Sequence, residues 1–215
     1  MNQTLNDPDD LHGLFPVAVQ LVRRVVSVGD AGVLRRWLEG RVAESNSRSG
    51  ALVHTGQITP GQHVVADAIF SALLPRITEF GGLLLGERKI WQIKEMWGNI
   101  MRNGGSQSLH NHANCIVSGI VYLTPTAAVE SRTVFVRALG GQDYKFSNEH
   151  AEIFANPFNA SRWIAPEAKP GDVLLFPSYL LHEVPAQHGQ PRCTLAFNAI
   201  PTRLDSWGYG LSLSS

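Results

Sequence analysis

The sequence predicts an α+β protein in which N-terminal helices pack on one sheet of a C-terminal β-core of the jelly-roll kind. Two observations carry this. Helical periodicity is confined to the first part of the chain, and from about Lys89 it gives way to short β-rich runs bounded by Gly, Pro, Asn or Ser. Strands so short and so regularly interrupted suit an antiparallel sandwich or barrel. With 215 residues and no internal repeat, one domain is expected over 1–215. Residues 1–88 would form an extended arm and helical layer, 89–202 the β-core and 203–215 a tail.

The elements follow in order. After an extended "GLFPVAVQLVRRVV", the segment "DAGVLRRWLEGRVAES" is expected to start a helix at an N-cap, Asp30. Val33, Leu34, Trp37, Leu38 and Val42 recur there at helical spacing. A second helix is expected in "TPGQHVVADAIFSALLPRITEF", with Thr59 as cap, Pro60 in the first turn and Pro75 kinking or ending it. The strand candidates are "KIWQIKEMWGNIM", "CIVSGIVYL", "RTVFVRA", "RWIAP", "DVLLFP" and "RCTLAFNAI". Between them, residues 140–161 form a long patternless loop carrying Tyr144, Phe146, Phe154 and Phe158. A loop of that length is more often functional than idle, so it is a candidate cover for a pocket.

Eighteen Lys and Arg balance eighteen Asp and Glu, which leaves no electrostatic footprint for nucleic acid or an anionic membrane. Apolar runs such as "GGLLLG" are too short to cross a bilayer. The polar, acidic start "MNQTLNDPDD" reads as neither a signal nor a transit peptide, and the two cysteines, Cys115 and Cys193, form no CxxC. A cytoplasmic location is therefore expected. The tail "DSWGYGLSLSS" either packs on a neighbouring copy, as in a homodimer, or frays.

Of eight histidines, His12, His54, His63, His150 and His188 stand alone among polar neighbours and are assigned no role. His110 and His112 differ. In extended backbone, residues i and i+2 project from one face, so two imidazoles can share a metal. His182 follows a turn at Pro170-Gly171 and the apolar run Val173 to Phe176, which delivers it to the mouth of the β-core as a third ligand. Arg192 lies ten residues further on and shares a face with Thr194. Its planar fork suits a carboxylate, and the Thr hydroxyl can add a donor. Asn99 and Asn198 are better read as satisfying backbone groups than as orienting a substrate.

The blocks "MWGNI", "SLHNHANCIVSGIVYLTP" and "KPGDVLLFPSYLLHEVPAQHGQPRCTLAFN", spanning Trp97 to Asn198, resemble the iron(II)- and 2-oxoglutarate-dependent oxygenases, in particular a branch of small bacterial members. The resemblance implies a double-stranded β-helix with an HxD or HxE pair plus a distal His on iron. The far carboxylate of 2-oxoglutarate would meet Arg192, supported by Thr194 and Tyr122. It further implies oxidation, most often hydroxylation, of a small-molecule, amino-acid or peptide substrate. One departure is serious: His112 stands where the family has Asp or Glu. Either His112 ligates, or it swings away and water or a halide takes its place, or a carboxylate such as Glu183 arrives from elsewhere. Glu183 is discounted, because neighbours in a strand face opposite ways. A three-His iron site is preferred. Two alternatives stand beside the oxygenase: a cupin-like three-His dioxygenase without 2-oxoglutarate, and a non-enzymatic β-barrel holding zinc. Neither requires Arg192, Thr194 or Tyr122.

Overall fold

The computed structural model describes residues 15–41, 43–45, 51–138, 152–154, 156 and 159–213. The chain enters as β1 (Gln20–Val22) and α1 (Val28–Glu39), followed by β2 (Ala43–Ser45), β3 (Leu52–Thr55) and the long α2 (Val64–Leu85). Then come β4 (Trp91–Met101), β5 (Gln107–His110), β6 (Val117–Tyr122), a 3-10 turn (Val129–Ser131), β7 (Val134–Val136) and β8 (Arg162–Ile164). The chain closes with β9 (Val173–Pro177), β10 (His182–Val184), β11 (Arg192–Pro201) and a hairpin of β12 (Arg203–Ser206) and β13 (Tyr209–Ser212). A major sheet has the order β1-β9-β6-β11-β4-β3-β2, and a minor sheet the order β5-β10-β7-β8. Every pairing is antiparallel. Two such sheets with helices on the outer face of the larger one make the double-stranded β-helix.

The helices differ from their expected limits. Ser27, not Asp30, caps α1. Its Oγ accepts from the Asp30 amide, while the Asp30 carboxylate sits in the first turn and receives the Ser27 hydroxyl. The helix ends at Gly40, short of the expected segment, because Ala43–Ser45 pairs with β3 instead. His63 caps α2 through Nδ1, displacing Thr59 and Pro60 from the role given to them. Pro75 lies inside α2 without ending it, on the exposed side of a helix whose buried stripe runs Ala66, Ile69, Leu73, Ile77 and Phe80. Packing of that stripe outweighs the lost hydrogen bond. By length and composition α2 could cross a membrane, contrary to the reading of short apolar runs, yet its stripe belongs to the main core. Nor is the region before residue 89 only an arm and helices, since β1 closes one edge of the major sheet and β2–β3 the other. The last residues form a hairpin rather than a simple tail, and Lys89 tethers it through Asp205.

Period-two alternation sorts β11 cleanly. Cys193, Leu195, Phe197 and Ala199 join the core under the helices, so Arg192, Thr194, Ala196 and Asn198 face between the sheets. Register extends this into rungs. Leu52, Met101 and Arg192 form one; His54, Asn99, Thr194 and Tyr122 the next; then Trp97, Ala196 and Ile120; then Glu95, Asn198 and Ser118. The arrangement is pinned at the turn into β9. Asp172, buried, accepts from Arg23 Nη1 at 2.8 Å and from the amides of Arg24 and Lys169 at 2.9 Å. Next to it Gly171 has φ +92, and a Cβ there would overlap the Val26 carbonyl.

Candidate active site

A cavity of about 460 Å3 opens between the sheets; five of the six candidates, His110, His112, His182, Arg192 and Thr194, line it, while Tyr122 lies behind Arg192 and is not among its lining residues. At the minor-sheet end, His110 closes β5 and stands opposite His182 of β10 in register. His112 lies two residues beyond, where its amide donates to the Ser178 carbonyl at 2.9 Å. The ring centroids are 4.2 Å (His110–His182), 5.1 Å (His110–His112) and 5.3 Å (His112–His182) apart. One nitrogen from each imidazole lies within 4.8 Å of the others.

The tautomers follow from the partners. His110 Nδ1 meets the Ser108 carbonyl at 2.8 Å and His182 Nδ1 the Leu180 carbonyl at 2.9 Å. A carbonyl only accepts, so both Nδ1 atoms carry the proton and Nε2 is the nitrogen through which each ring would ligate. Burial, with His110 alongside, pushes His112 down to about 4. Burial and the same neighbour push His182 down to about 3. Near neutral pH both are uncharged, as metal ligands must be. Trp97 is 6.0 Å from His112, and Phe176 packs edge-on at 4.7 Å from His182, so aromatic walls flank the cluster. Three imidazoles converging with protonated outer nitrogens fit a first-row divalent metal such as iron(II).

At the major-sheet end the chemistry is different. Arg192 is 4 % exposed. Its Nε donates to the Ser131 carbonyl at 3.0 Å, its Nη1 to Thr194 Oγ1 at 3.4 Å, and its guanidinium lies 5.6 Å from the centroid of the Tyr122 ring. Tyr122 is buried, which raises its pKa, and its hydroxyl contacts Thr133 Oγ1 at 3.3 Å. Arg192 Nη2 is buried with no hydrogen-bond partner among the described residues, and no described carboxylate pairs with this cation. A buried, uncompensated guanidinium is costly and suits a bound carboxylate.

Glu183 turns away from the histidines and pairs with Arg162, as its strand position requires. A closer carboxylate was not foreseen. Glu95 of β4 accepts from Asn198 Nδ2 at 2.9 Å, and that hydrogen bond, ahead of Lys94 and His112, holds it below the usual carboxylate range. Asn198 also accepts from Ser118 Oγ, which donates to Ser178 or Asn198, so it belongs to a side-chain network rather than satisfying backbone groups. Only the register pairing of β4 with β11 brings Glu95 there, and no local motif announces it. Ser131, the partner of Arg192 Nε, is likewise visible only in the fold. The proposed cover at 140–161 lies largely outside the described residues; of its aromatics only Phe154 is described, and it is exposed.

The sequence profile described as "Putative 2OG-Fe(II) oxygenase" matches residues 95–198, a span that contains all six candidate site residues and Glu95. Over those 104 of its 215 residues the chain is similar to the iron(II)- and 2-oxoglutarate-dependent oxygenases. Among solved structures, a prolyl-4-hydroxylase from Pseudomonas putida superposes with a TM-score of 0.61 at 16% identity, covering 86% of this chain and 93% of that one. HygX from Streptomyces hygroscopicus, determined with nickel and 2-oxoglutarate bound, gives 0.60 at 16% identity, covering 86% and 84%. The α-ketoglutarate-dependent epimerase SnoN from nogalamycin biosynthesis gives 0.59 at 14%, covering 87% and 80%. These likenesses establish the double-stranded β-helix. No curated protein matches in sequence. That similarity weighs against the non-enzymatic zinc barrel, and the three clustered histidines fit the iron(II) that such oxygenases use with 2-oxoglutarate.

Proposed function

We propose that this oxygenase hydroxylates a small molecule, with His110, His112 and His182 holding iron(II) and with Arg192, Thr194 and Tyr122 receiving the far carboxylate of 2-oxoglutarate. The buried Arg192 Nη2 without an acceptor is the observation that carries the reading. When bound, iron and 2-oxoglutarate activate dioxygen, one oxygen atom entering succinate as carbon dioxide leaves and the other entering a C–H bond of the substrate.

The protein's own contributions follow from the geometry. Ser108 and Leu180 carbonyls fix the two imidazole tautomers and ring orientations. Ser131 and Thr194 aim the guanidinium, and Tyr122 covers one side of it. Trp97, Ile120 and Phe176 line the space between the two ends with apolar surface that excludes water. The three-His set removes one negative charge from the ligands, so iron(II) is held less tightly than by a two-His-one-carboxylate set. Small molecules are supported by HygX, whose solved structures include one with hygromycin B. Hydroxylation is favoured by the prolyl-4-hydroxylase, although the epimerase SnoN shares the fold.

Succinate formation from 2-oxoglutarate in air tests this. Wild type should form succinate in an iron(II)-dependent manner even without substrate, and Arg192→Ala should form almost none at the same 2-oxoglutarate concentration. Equal succinate formation in both would make Arg192 structural, and no succinate from wild type would favour the cupin-like dioxygenase.

A further inference from the structure

The cavity is larger than a short diacid needs. Its volume of about 460 Å3 is in the range of pockets that hold drug-sized ligands. Beyond Arg192 and the histidines, its wall continues over β3, β4 and β5 with Leu52, His54, Asn99, Met101 and Gln107. We propose that this wall is the substrate subsite, that it selects an uncharged molecule carrying an N–H or O–H donor, and that Asn99 Oδ1 receives that donor. The inference rests on the oxygenase reading and names the substrate class for the same site.

Three observations converge on it. First, apart from imidazoles, Arg192 is the one formally charged side chain among the described residues lining the cavity; no Asp, Glu or Lys reaches it. With a 2-oxoglutarate carboxylate on Arg192, no described lining side chain is left to pair a charge on the substrate, and an unpaired buried charge is strongly disfavoured. Second, Asn99 stands between His54 and Thr194 on one rung, and its Oδ1 is buried with no hydrogen-bond partner. A buried acceptor left without a donor is costly. 2-Oxoglutarate cannot satisfy it, because at neutral pH its carboxylates and ketone only accept. A donor must therefore come from another molecule. Third, Leu52, Met101 and Val184 form a small buried apolar cluster at the same wall, against which the hydrocarbon part of such a molecule can lie.

Asn99 is thus a specificity-determining residue rather than a catalytic one. A matched pair of probes tests it: 2-pyrrolidinone, which carries an N–H, and N-methyl-2-pyrrolidinone, which does not. Binding is read by saturation-transfer NMR on the protein loaded with 2-oxoglutarate and metal, and 2-oxoglutarate chelation is read separately from the visible band of the anaerobic iron(II) complex. Wild type should bind the N–H probe at least fivefold more tightly. Asn99→Leu should bind both alike, and Asn99→Asp, which keeps an acceptor, should retain the preference. No preference in wild type, or one that survives in Asn99→Leu, overturns the proposal. So does a tenfold rise in the 2-oxoglutarate needed by Asn99→Asp without any probe preference, which would turn the amide nitrogen toward the co-substrate. A preference without a visible band would remove the oxygenase reading and leave the donor subsite standing; a band without a preference would do the reverse.

Discussion

The two ends of the cavity are built on opposite plans. The proposed metal end sits on the minor sheet, at the tips of the short strands β5 and β10, with His110 and His112 only half-buried. The proposed anion end sits on β11, ten residues long and paired on both sides by β4 and β6, with Arg192, Thr194 and Tyr122 all nearly inaccessible. The first plan leaves positions open for exchangeable ligands. The second buries a cation held by Ser131 and Thr194 and leaves its Nη2 without a partner among the described residues, which suits an anion. Binding strength should therefore concentrate at the buried end and metal exchange at the open one.

Removing the buried cation should have the largest effect. Losing one partner of a buried charge pair costs about 2–5 kcal/mol, so Arg192→Met should need on the order of 100-fold more 2-oxoglutarate. Without 2-oxoglutarate the same variant should melt at an equal or higher temperature than wild type, because the unpaired guanidinium disfavours the fold. A clearly lower melting temperature would break the contrast, since it would mean that Arg192 is already compensated.

At the metal end, His182→Ala should weaken iron(II) binding at least tenfold while leaving the melting temperature of the metal-free protein nearly unchanged. His112→Asp restores a carboxylate and should tighten iron(II), read by competition with a chromogenic chelator. Nickel and zinc should displace iron(II) from wild type, following the general order of affinities at imidazole sites.

The helix layer, remote from both ends, offers a control. A Cβ at Gly81 would overlap the Trp91 ring. Gly81→Ala should cost about 1–3 kcal/mol by overpacking, seen as an earlier urea midpoint with iron(II) affinity unchanged.

The smallest effect concerns pH. His112 and His182 are held near 4 and near 3, below the unfolded value of 6.5. Between those values the unfolded chain binds more protons than the native one, so acid favours unfolding. The metal-free protein should keep its full stability above pH 6.5 and lose it progressively toward pH 4. Substituting His182 by Leu should flatten that slope, as measured by denaturation at a series of pH values.

What could be read from the sequence divides along the same line. The long strands of the β-core were legible because alternation and turn residues mark them, and the HxH pair, His182 and the Arg192–Thr194 face follow from spacing within short extended segments, although β5 ends at His110 and His112 lies just beyond it. Helix limits were less so. Asp30 and Thr59 are good caps by type, but Ser27 and His63 hold the roles because of where the chain leaves the sheet. Glu95, Ser131 and the donor-seeking Asn99 depend on register between strands distant in sequence, which no local pattern encodes.

The most direct test is an anaerobic titration of iron(II) into the protein with and without 2-oxoglutarate, watching the visible charge-transfer band of the chelate in wild type, His112→Ala and Arg192→Ala. The account predicts a band in wild type, its loss without His112, and a far higher 2-oxoglutarate requirement without Arg192. Bound iron with no band in wild type would contradict it.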